Sequence, residues 1–292
     1  MEGARRERAG AHEGAALLQP FDVDEQGKDE QSRVDYLYLQ RTLKDVSGLD
    51  LGFYKERQML RRLRGFASRQ GMTSLRTLAD EIRRDRELRQ QLTDYLAINV
   101  TEFFRNPERY DELARTVLPA VLQRTDALRI WSAGCSTGAE PYSLAILLEE
   151  MGAGGPEKHR ILGTDIDREA LAEARRAIYT EERLKEVSRE RLQRFFTRLP
   201  DGRWQVNERI RRYVSFSQHN LLEDRYPADQ HLILCRNVII YFTDEAKREI
   251  FARMAGSLVP GGYLLVGSTE TIFYPGQYGL KSVAPFLYVR EG

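Results

Sequence analysis

Residues 128–152 read LRIWSAGCSTGAEPYSLAILLEEMG, and this stretch decides the fold. LRIWSAG predicts a strand, GCSTG predicts a tight turn, and the apolar run that follows predicts a helix. The unit then repeats, since ILGTDID (161–167) predicts a second strand and REALAEARRAIY (168–179) predicts a second helix. Strands that alternate with helices are typical of a mostly parallel sheet covered by helices on both faces.

The sequence on either side of this unit predicts the domain organisation. YVSFSQHNL, HLILCRNV, YLLVGS and VAPFLYVR are further predicted strands, and a helix follows in DEAKREIFARMAGS. Residues 180–212 interrupt the alternation, and their Asp201-Gly202 pair is a hairpin signal, which predicts a small inserted β-subdomain at about 180–217. Upstream, Leu75, Leu78 and Ile82 follow helical spacing. We therefore expect a disordered tail over 1–32, an all-α domain with its linker over 33–105, and an α/β domain over 106–292.

Charge and cysteine content exclude several classes of protein. Of 292 residues, 45 are Lys or Arg and 44 are Asp or Glu, and the resulting net charge of +1 disfavours a nucleic-acid binder. No apolar run is long enough to span a membrane, and the N-terminus lacks the apolar segment of a secretory signal. Two cysteines cannot build a disulfide framework. We expect a cytoplasmic protein with no metal site and no membrane insertion.

The turn after the first predicted strand indicates a nucleotide-like cofactor without phosphates. Gly134 and Gly138 allow the backbone to pass close to a ligand. A phosphate-binding loop needs a Lys after its last glycine, and the dinucleotide fingerprint needs glycines at positions held here by Ser136 and Ala139. Glu140 at the helix start would repel a pyrophosphate and attract a sulfonium or an ammonium. The turn therefore favours S-adenosylmethionine.

The second predicted strand carries a matching feature. Asp165 in GTDID ends that strand, where a carboxylate can accept hydrogen bonds from both ribose hydroxyls. Taken singly, Gly134 and Gly138 could simply form a tight turn, and Asp165 could simply cap a helix. Together, in this order and on these strands, they favour the cofactor site.

Longer motifs identify a family. WSAGCSTGAEPYSLAI, GTDID and CRNVIIYF, with NVTEFFRNPERY upstream and GGYLLVGSTE downstream, resemble the CheR-type chemotaxis receptor methyltransferases over about residues 33–290. The resemblance implies a Rossmann-like S-adenosylmethionine-dependent methyltransferase sheet, a small inserted antiparallel β-subdomain and a preceding all-α domain. It also implies methyl transfer to glutamate side chains of chemoreceptor cytoplasmic helices. The products would be glutamate methyl esters and S-adenosylhomocysteine.

The resemblance also implies site residues. Arg105 and Tyr241 would lie at the methyl-transfer centre. An ionised glutamate acceptor needs no general base, so Arg105 would orient one carboxylate oxygen in its guanidinium fork while Tyr241 lines the site. With Gly134 of the turn, the residues that would bind the cofactor are Asn99, Thr101, Arg105, Glu140, Asp165, Asn220, Leu221, Asn237 and Val238.

The segment FYKERQMLRRLRGFASRQG (53–71) predicts a helix with separate faces. Met59, Leu63 and Phe66 share one face of this helix. The charged residues lie on the other faces, and between residues 51 and 71 six of them are basic and only Glu56 is acidic. Given the family, we expect this helix to dock glutamate-rich receptor helices. The predicted receptor-binding residues are Lys55, Arg57, Arg61, Arg62 and Arg64.

Two further expectations concern partners, and two alternative functions stay open. The short loop RLPDGRW (198–204) predicts a member that needs no tethering to a receptor pentapeptide, and we expect a monomer. One alternative is a methyltransferase of the same domain family in a signalling pathway other than chemotaxis. The other is a non-catalytic scaffold that binds the cofactor.

Overall fold

The computed structural model describes residues 30–96 and 101–292, so most of the predicted tail over 1–32 lies outside the described residues. The N-terminal part is helical, with α1 Glu30–Ser47, α2 Glu56–Arg69, α3 Leu75–Arg84 and α4 Arg86–Leu96. Ser74 caps α3, because its side chain accepts a hydrogen bond from the Thr77 N–H. Buried leucines and a methionine fill the space between the helices, among them Leu39, Leu43, Met59, Leu63 and Leu92. This part therefore has its own apolar core.

The remaining chain forms an α/β fold around two sheets. Its strands are β1 Arg129–Ala133, β2 Arg160–Asp165, β3 Ile178–Tyr179, β4 Phe196–Arg198, β5 Trp204–Val206, β6 Val214–Gln218, β7 Gln230–Cys235, β8 Leu258–Val266, β9 Leu280–Ala284 and β10 Leu287–Arg290. The larger sheet has the order β6-β2-β1-β7-β8-β10-β9. Its strands β6, β2, β1, β7 and β8 pair in parallel, whereas β10 runs antiparallel to both of its neighbours. From β1, the chain first adds strands on one side of the sheet (β2 and β6) and then on the other (β7 and β8). The strand order therefore reverses at β1.

Helices connect these strands. They are α5 Pro107–Glu112, α6 Leu118–Leu122, α7 Ala139–Glu150, α8 Arg168–Arg176, α9 Arg189–Phe195, α10 Glu208–Arg211 and α11 Asp244–Ser257, and the π-helical segment Leu113–Val117 joins α5 to α6. Helix α7 is buried on nearly all sides, from Ala139 to Leu148, which explains its continuous apolar sequence. Within residues 30–96 and 101–292, no helix is long and apolar enough to cross a bilayer.

The inserted β-subdomain begins earlier than the sequence pattern indicates. The predicted helix over 168–179 ends at Arg176, because Ala177 adopts a left-handed conformation (φ +54°) and the next two residues form β3. Strands β3, β5 and β4 then form an antiparallel sheet, with the turn at Gly202 (φ +86°) between β4 and β5. The predicted fold class, a mostly parallel sheet with an antiparallel insertion and a preceding all-α domain, is confirmed.

A short backbone bridge joins the helical part to the α/β part. Tyr54, just before α2, pairs antiparallel with Phe242, just before α11, and their rings lie 4.7 Å apart. The Lys55 N–H donates to the Tyr241 carbonyl oxygen at 2.9 Å, and the Thr243 N–H donates to the Phe53 carbonyl oxygen at 2.8 Å. This bridge places the start of α2 beside the loop that follows β7.

Candidate active site

A cavity of about 200 Å³ lies at the carboxyl ends of β1, β2 and β7. This is the edge of a doubly wound sheet where ligands bind, next to the reversal of strand order. Its walls come from the turn after β1, the end of β2, the loops after β6 and β7, the segment at 101–105 and Tyr54, which precedes α2. Elements that are distant in the sequence therefore build one site.

The turn after β1 needs its glycines for steric reasons. Gly134 has φ +74°, and a Cβ atom there would lie 2.3 Å from Cγ2 of Val238. Gly138 has φ +88°, and its Cβ would lie 2.8 Å from Cβ of Ala174. A side chain at either position would strain the backbone and collide, at Gly134 with Val238 of the cavity wall and at Gly138 with Ala174 of α8. The turn thus brings bare backbone to the cavity.

Asp165 at the end of β2 is held by backbone donors. Its Oδ2 accepts a 2.7 Å hydrogen bond from the Ser136 N–H, and its Oδ1 accepts a 3.0 Å bond from the Asp167 N–H. Burial raises the pKa of Asp165, and these backbone N–H groups oppose the rise by stabilising the charge. The carboxylate is therefore fixed in orientation against the cavity, where it can accept from ligand hydroxyl groups.

Glu140 is the second carboxylate of the cavity. It accepts a 2.8 Å hydrogen bond from the Ser132 hydroxyl and forms an ion pair with Arg236 at 3.4 Å. Burial raises the pKa of Glu140, and the Arg236 charge is the largest opposing influence. Arg236 also donates to the main-chain oxygen of Arg105 at 2.9 Å and to Oδ1 of Asn106 at 2.8 Å. One buried guanidinium therefore links the turn after β1 to the 101–105 segment.

Arg105 and Tyr241 line the same cavity from different loops. Burial raises the pKa of Tyr241, whereas the positive charges of Arg62 and Arg105 oppose that rise. The Tyr241 hydroxyl is thus in the field of one guanidinium from the 101–105 segment and another from α2. An anionic group beside Tyr241 would be electrostatically favoured.

The structure brings most of the predicted cofactor residues together. Thr101, Arg105, Gly134, Glu140, Asp165, Asn220, Leu221, Asn237 and Val238 all line the cavity. Asn220 is also held within its own loop, since its Oδ1 accepts from the Leu222 N–H at 3.0 Å and its amide donates to Glu223 at 3.0 Å. Asn99 lies outside the described residues.

The basic residues predicted to bind a receptor lie on and just before α2, away from the cavity lining. Lys55, Arg57 and Arg61 are exposed. Arg62 is half-buried and donates to the main-chain oxygens of Tyr95 and Leu96. Arg64 is also half-buried and donates to the Ser32 hydroxyl at 2.5 Å. The exposed part of the basic surface is therefore smaller than the sequence pattern indicates.

Among the residues in or next to the site that were not predicted from the sequence, three are informative. Tyr54 lines the cavity from the helical part, and only the fold brings it there. Arg236 directly follows an apolar strand and is buried. Because a buried charge requires a partner, an arginine at this position could have been predicted to pair with a carboxylate of the site. Glu270 ends the motif GGYLLVGSTE, but no role was predicted for it; it is buried behind the loop after β7 and accepts hydrogen bonds from backbone N–H groups.

The residues of the cavity fit S-adenosylmethionine. Glu140 provides buried negative charge for a cationic ligand, Asp165 provides a fixed acceptor for ribose hydroxyls, and Leu221 and Val238 provide apolar walls. Gly134 and Val238 pack against each other and both line the cavity, so a larger residue at 134 would displace this wall. The electrostatic arrangement therefore suits a sulfonium rather than a pyrophosphate.

Comparisons with known proteins agree with this geometry. Residues 99–284 match the family model "CheR methyltransferase, SAM binding domain", and residues 35–97 match "CheR methyltransferase, all-alpha domain". The chain is 37% identical over 257 residues to a chemotaxis protein methyltransferase of Listeria monocytogenes, covering 88% of this chain and 97% of that protein. It is 34% identical over 269 residues to chemotaxis protein methyltransferase 1 of Pseudomonas aeruginosa, covering 89% and 98% respectively. The chain therefore belongs to the CheR methyltransferase family and is an S-adenosylmethionine-dependent methyltransferase.

Proposed function

We propose that this enzyme methylates glutamate side chains on the cytoplasmic helices of chemoreceptors, forming methyl esters in chemotactic adaptation. The observation that carries the proposal is the placement of Arg105 and Tyr241 in one cavity with Glu140 and Asp165. The names of the relatives, chemotaxis protein methyltransferases from Listeria and Pseudomonas, agree with it.

The cofactor would be held by the residues that line the cavity. When bound, S-adenosylmethionine supplies a methyl group on a sulfonium centre and leaves as S-adenosylhomocysteine. Glu140 would attract the cationic end, Asp165 would accept hydrogen bonds from the ribose hydroxyls, and Asn220, Leu221, Asn237 and Val238, on the loops after β6 and β7, would hold the adenine. Thr101 and Arg105 close the site from the linker, and we assign Asn99 to the same set.

The acceptor chemistry requires orientation more than proton transfer. A glutamate is ionised at neutral pH, so neither a histidine nor another base has to remove a proton. Arg105 would hold one oxygen of the acceptor carboxylate in its planar fork and leave the other oxygen free to act as the nucleophile. Tyr241 forms the wall beside the transferred group. The positive charge of Arg62 near Tyr241 adds to the attraction for an anionic acceptor.

Receptor docking is assigned to the basic surface at the start of α2. Lys55, Arg57 and Arg61 are exposed and can attract a glutamate-rich helix from a distance. Arg62 and Arg64 were included in the predicted surface, but one amino group of each guanidinium bonds within the helical part, to Tyr95 and Leu96 or to Ser32. We therefore assign steering to the three exposed residues and place Arg62 nearer the acceptor.

The domain bounds and partner expectations complete the proposal. We assign residues 33–105 to the receptor-recognition domain with its linker and 106–292 to the methyltransferase domain, and we extend the β-subdomain, predicted at about 180–217, to begin with β3 at Ile178. The turn between β4 and β5 spans only residues 199–203, which supports receptor binding without pentapeptide tethering. We propose a monomer that acts in the cytoplasm.

The decisive experiment uses methyl-labelled S-adenosylmethionine and a panel of chemoreceptor cytoplasmic fragments. We expect label in a receptor fragment that mild alkali releases as methanol, because esters hydrolyse whereas N-methyl groups do not. Fragments whose glutamates are replaced by alanine serve as the matched control. Alkali-stable label would indicate another acceptor. Cofactor binding without transfer to any fragment would favour a non-catalytic scaffold or a pathway with a different substrate.

A further inference from the structure

Glu270 closes a carboxylate clamp behind the loop that follows β7. Its side chain is almost completely buried, with 4% of the residue exposed. Oε2 accepts from the Asn237 N–H at 2.7 Å and from the Gly267 N–H at 2.8 Å. Oε1 accepts from the Val238 N–H at 2.9 Å and from the Ile239 N–H at 2.9 Å. One carboxylate therefore satisfies four backbone donors from two loops.

The backbone is shaped to receive this carboxylate. Asn237 adopts a left-handed conformation (φ +60°), which turns three consecutive N–H groups toward Glu270. Successive N–H groups of this kind form an anion-binding concavity. Gly267 is equally specific, because a Cβ there would lie 2.2 Å from Oε2 of Glu270 and 2.9 Å from the Asn237 nitrogen. Both loops are therefore built around the charged group.

The clamped loop carries the site. Asn237 and Val238 line the cavity directly, and Val238 packs against Gly134 at its edge. The 3-10 turn Ile239–Tyr241 follows at once, so the third clamped N–H belongs to the first residue of the turn that ends at Tyr241. A displacement of this backbone would move one wall of the cofactor site and the Tyr241 side chain together.

We propose that Glu270 is a positioning residue for methyl transfer, whose carboxylate holds the 237–239 backbone so that the cofactor wall and Tyr241 keep their places. This inference rests on the proposed function for the role of Tyr241 and of the Asn237–Val238 wall. Glu270 itself stands behind the loop and acts through it. Its four charge-assisted bonds are stronger than neutral ones, which suits a loop that has to be rigid.

Two substitutions at Glu270 separate charge from shape. Glu270→Gln keeps the size but replaces one acceptor oxygen by an NH₂ group that would face two N–H donors. Glu270→Asp keeps the charge but shortens the reach by one methylene. We expect the glutamine variant to release part of the 237–239 backbone and the aspartate variant to keep more of it. Glu291→Gln, at an exposed glutamate near the C-terminus, is the matched control.

The test measures S-adenosylhomocysteine binding by calorimetry, normalised to folded protein, together with amide hydrogen exchange. For Glu270→Gln we expect a dissociation constant raised about tenfold or more. We also expect faster exchange confined to Asn237, Val238, Ile239 and Gly267. Glu270→Asp should lie between Glu270→Gln and the wild type, and Glu291→Gln should match the wild type.

A purely structural role for Glu270 would give a different result. It would lower the melting temperature while leaving the dissociation constant per folded molecule and the local exchange pattern unchanged, and that outcome would overturn the proposal. If Glu270→Gln fails to fold, the same two measurements on Glu270→Asp decide. Because neither readout uses a receptor, failure of the wild type to methylate receptor fragments would reject the proposed substrate and leave the clamp standing.

Discussion

The Lys55 backbone N–H donates a 2.9 Å hydrogen bond to the main-chain oxygen of Tyr241. Lys55 is the residue immediately before α2, and Tyr241 lines the cofactor cavity. The neighbouring hydrogen bond from the Thr243 N–H to the Phe53 carbonyl oxygen and the tilted ring contact between Tyr54 and Phe242 complete the junction. These contacts fix the position of α2 relative to the proposed methyl-transfer centre.

Lys55→Pro should uncouple α2 from the loop that contains Tyr241. Lys55 has φ −63° and Tyr54 is extended (φ −106°, ψ 154°), so proline fits the backbone and removes the N–H donor. We expect kcat for receptor methylation to fall severalfold, because the loss of one hydrogen bond of about 1 kcal/mol loosens the junction. Steady-state kinetics with a receptor fragment measures the change.

Lys55→Ala is the control for that variant, because it also removes the ammonium group but keeps the N–H. Its KM for the receptor should rise while its kcat stays near the wild-type value. Equal kcat values in the proline and alanine variants would show that the backbone bond to Tyr241 contributes nothing to turnover.

Gly134→Ala should damage the cofactor site more than its backbone strain alone explains. The left-handed conformation costs a non-glycine residue about 1 kcal/mol, and the new Cβ would also meet Val238 at 2.3 Å. Gly152→Ala is the matched control, since Gly152 has φ +62° and open space around the Cβ position. We expect S-adenosylhomocysteine binding to weaken at least tenfold in Gly134→Ala and to stay unchanged in Gly152→Ala. Calorimetry distinguishes these outcomes, and equal affinities would contradict the steric argument.

The fold was predictable because its signals are local. The strand–turn–helix unit at 128–152 has the apolar pattern and the glycines that β1, the turn and α7 require. The end of α8 was not predictable, because Ala177 adopts φ +54° where the local sequence continues a helical pattern. There the antiparallel pairing of β3 with β5 overrides helix propensity.

The site was predictable only where single side chains carry the chemistry. Glu140 and Asp165 stand at strand and helix ends whose position follows from the α/β pattern. Tyr54 could not be placed, since it reaches the cavity across a junction between two domains. Glu270 could not be assigned either, because three of its four partners are main-chain N–H groups 31 to 33 residues away.

Charge reversal at Arg57 and Arg61 should weaken receptor docking and leave the cofactor site intact. Both side chains are exposed on α2, so Glu at these positions would repel a glutamate-rich helix. We expect the KM for a receptor fragment to rise about tenfold at low salt, with a smaller difference at high salt because of screening. Arg84→Glu on α3, at a side chain 79% exposed, is the control and should change little. An unchanged KM at low salt would remove α2 from the docking surface.

Arg105→Lys should lower turnover without disturbing the local backbone. Lysine keeps the positive charge but loses the planar fork that would orient the acceptor carboxylate. The bond from Arg236 goes to the main-chain oxygen of Arg105, so it survives the substitution. We expect kcat to fall about tenfold to a hundredfold, as for a misplaced reactant, in single-turnover assays. Arg109→Lys, at an arginine paired with Glu112, should stay within about twofold, and an equal loss in both variants would contradict the assigned role.

Asp94 on α4 should make the stability of the enzyme depend on pH. Burial raises the pKa of Asp94 from 3.8 to about 7, and the nearby carboxylates of Asp167 and Glu169 at the start of α8 add to the rise. The hydrogen bond that Gln90 donates to Asp94 opposes it. The folded state therefore binds a proton more tightly than the unfolded state between about pH 4 and pH 7. The free energy of unfolding contributed by Asp94 is greatest below that range and is lost as the pH rises through it.

Asp94→Asn removes the titration and keeps a polar partner for Gln90. The variant should be more stable than the wild type at pH 8, where the wild-type enzyme holds three carboxylates together, and its advantage should shrink markedly at pH 5. Urea denaturation at both pH values measures the difference, and Asp126→Asn, at an exposed aspartate, is the control. An advantage of the same size at both pH values would mean that Asp94 is ionised throughout this range, and the contact between α4 and α8 would then not sense pH.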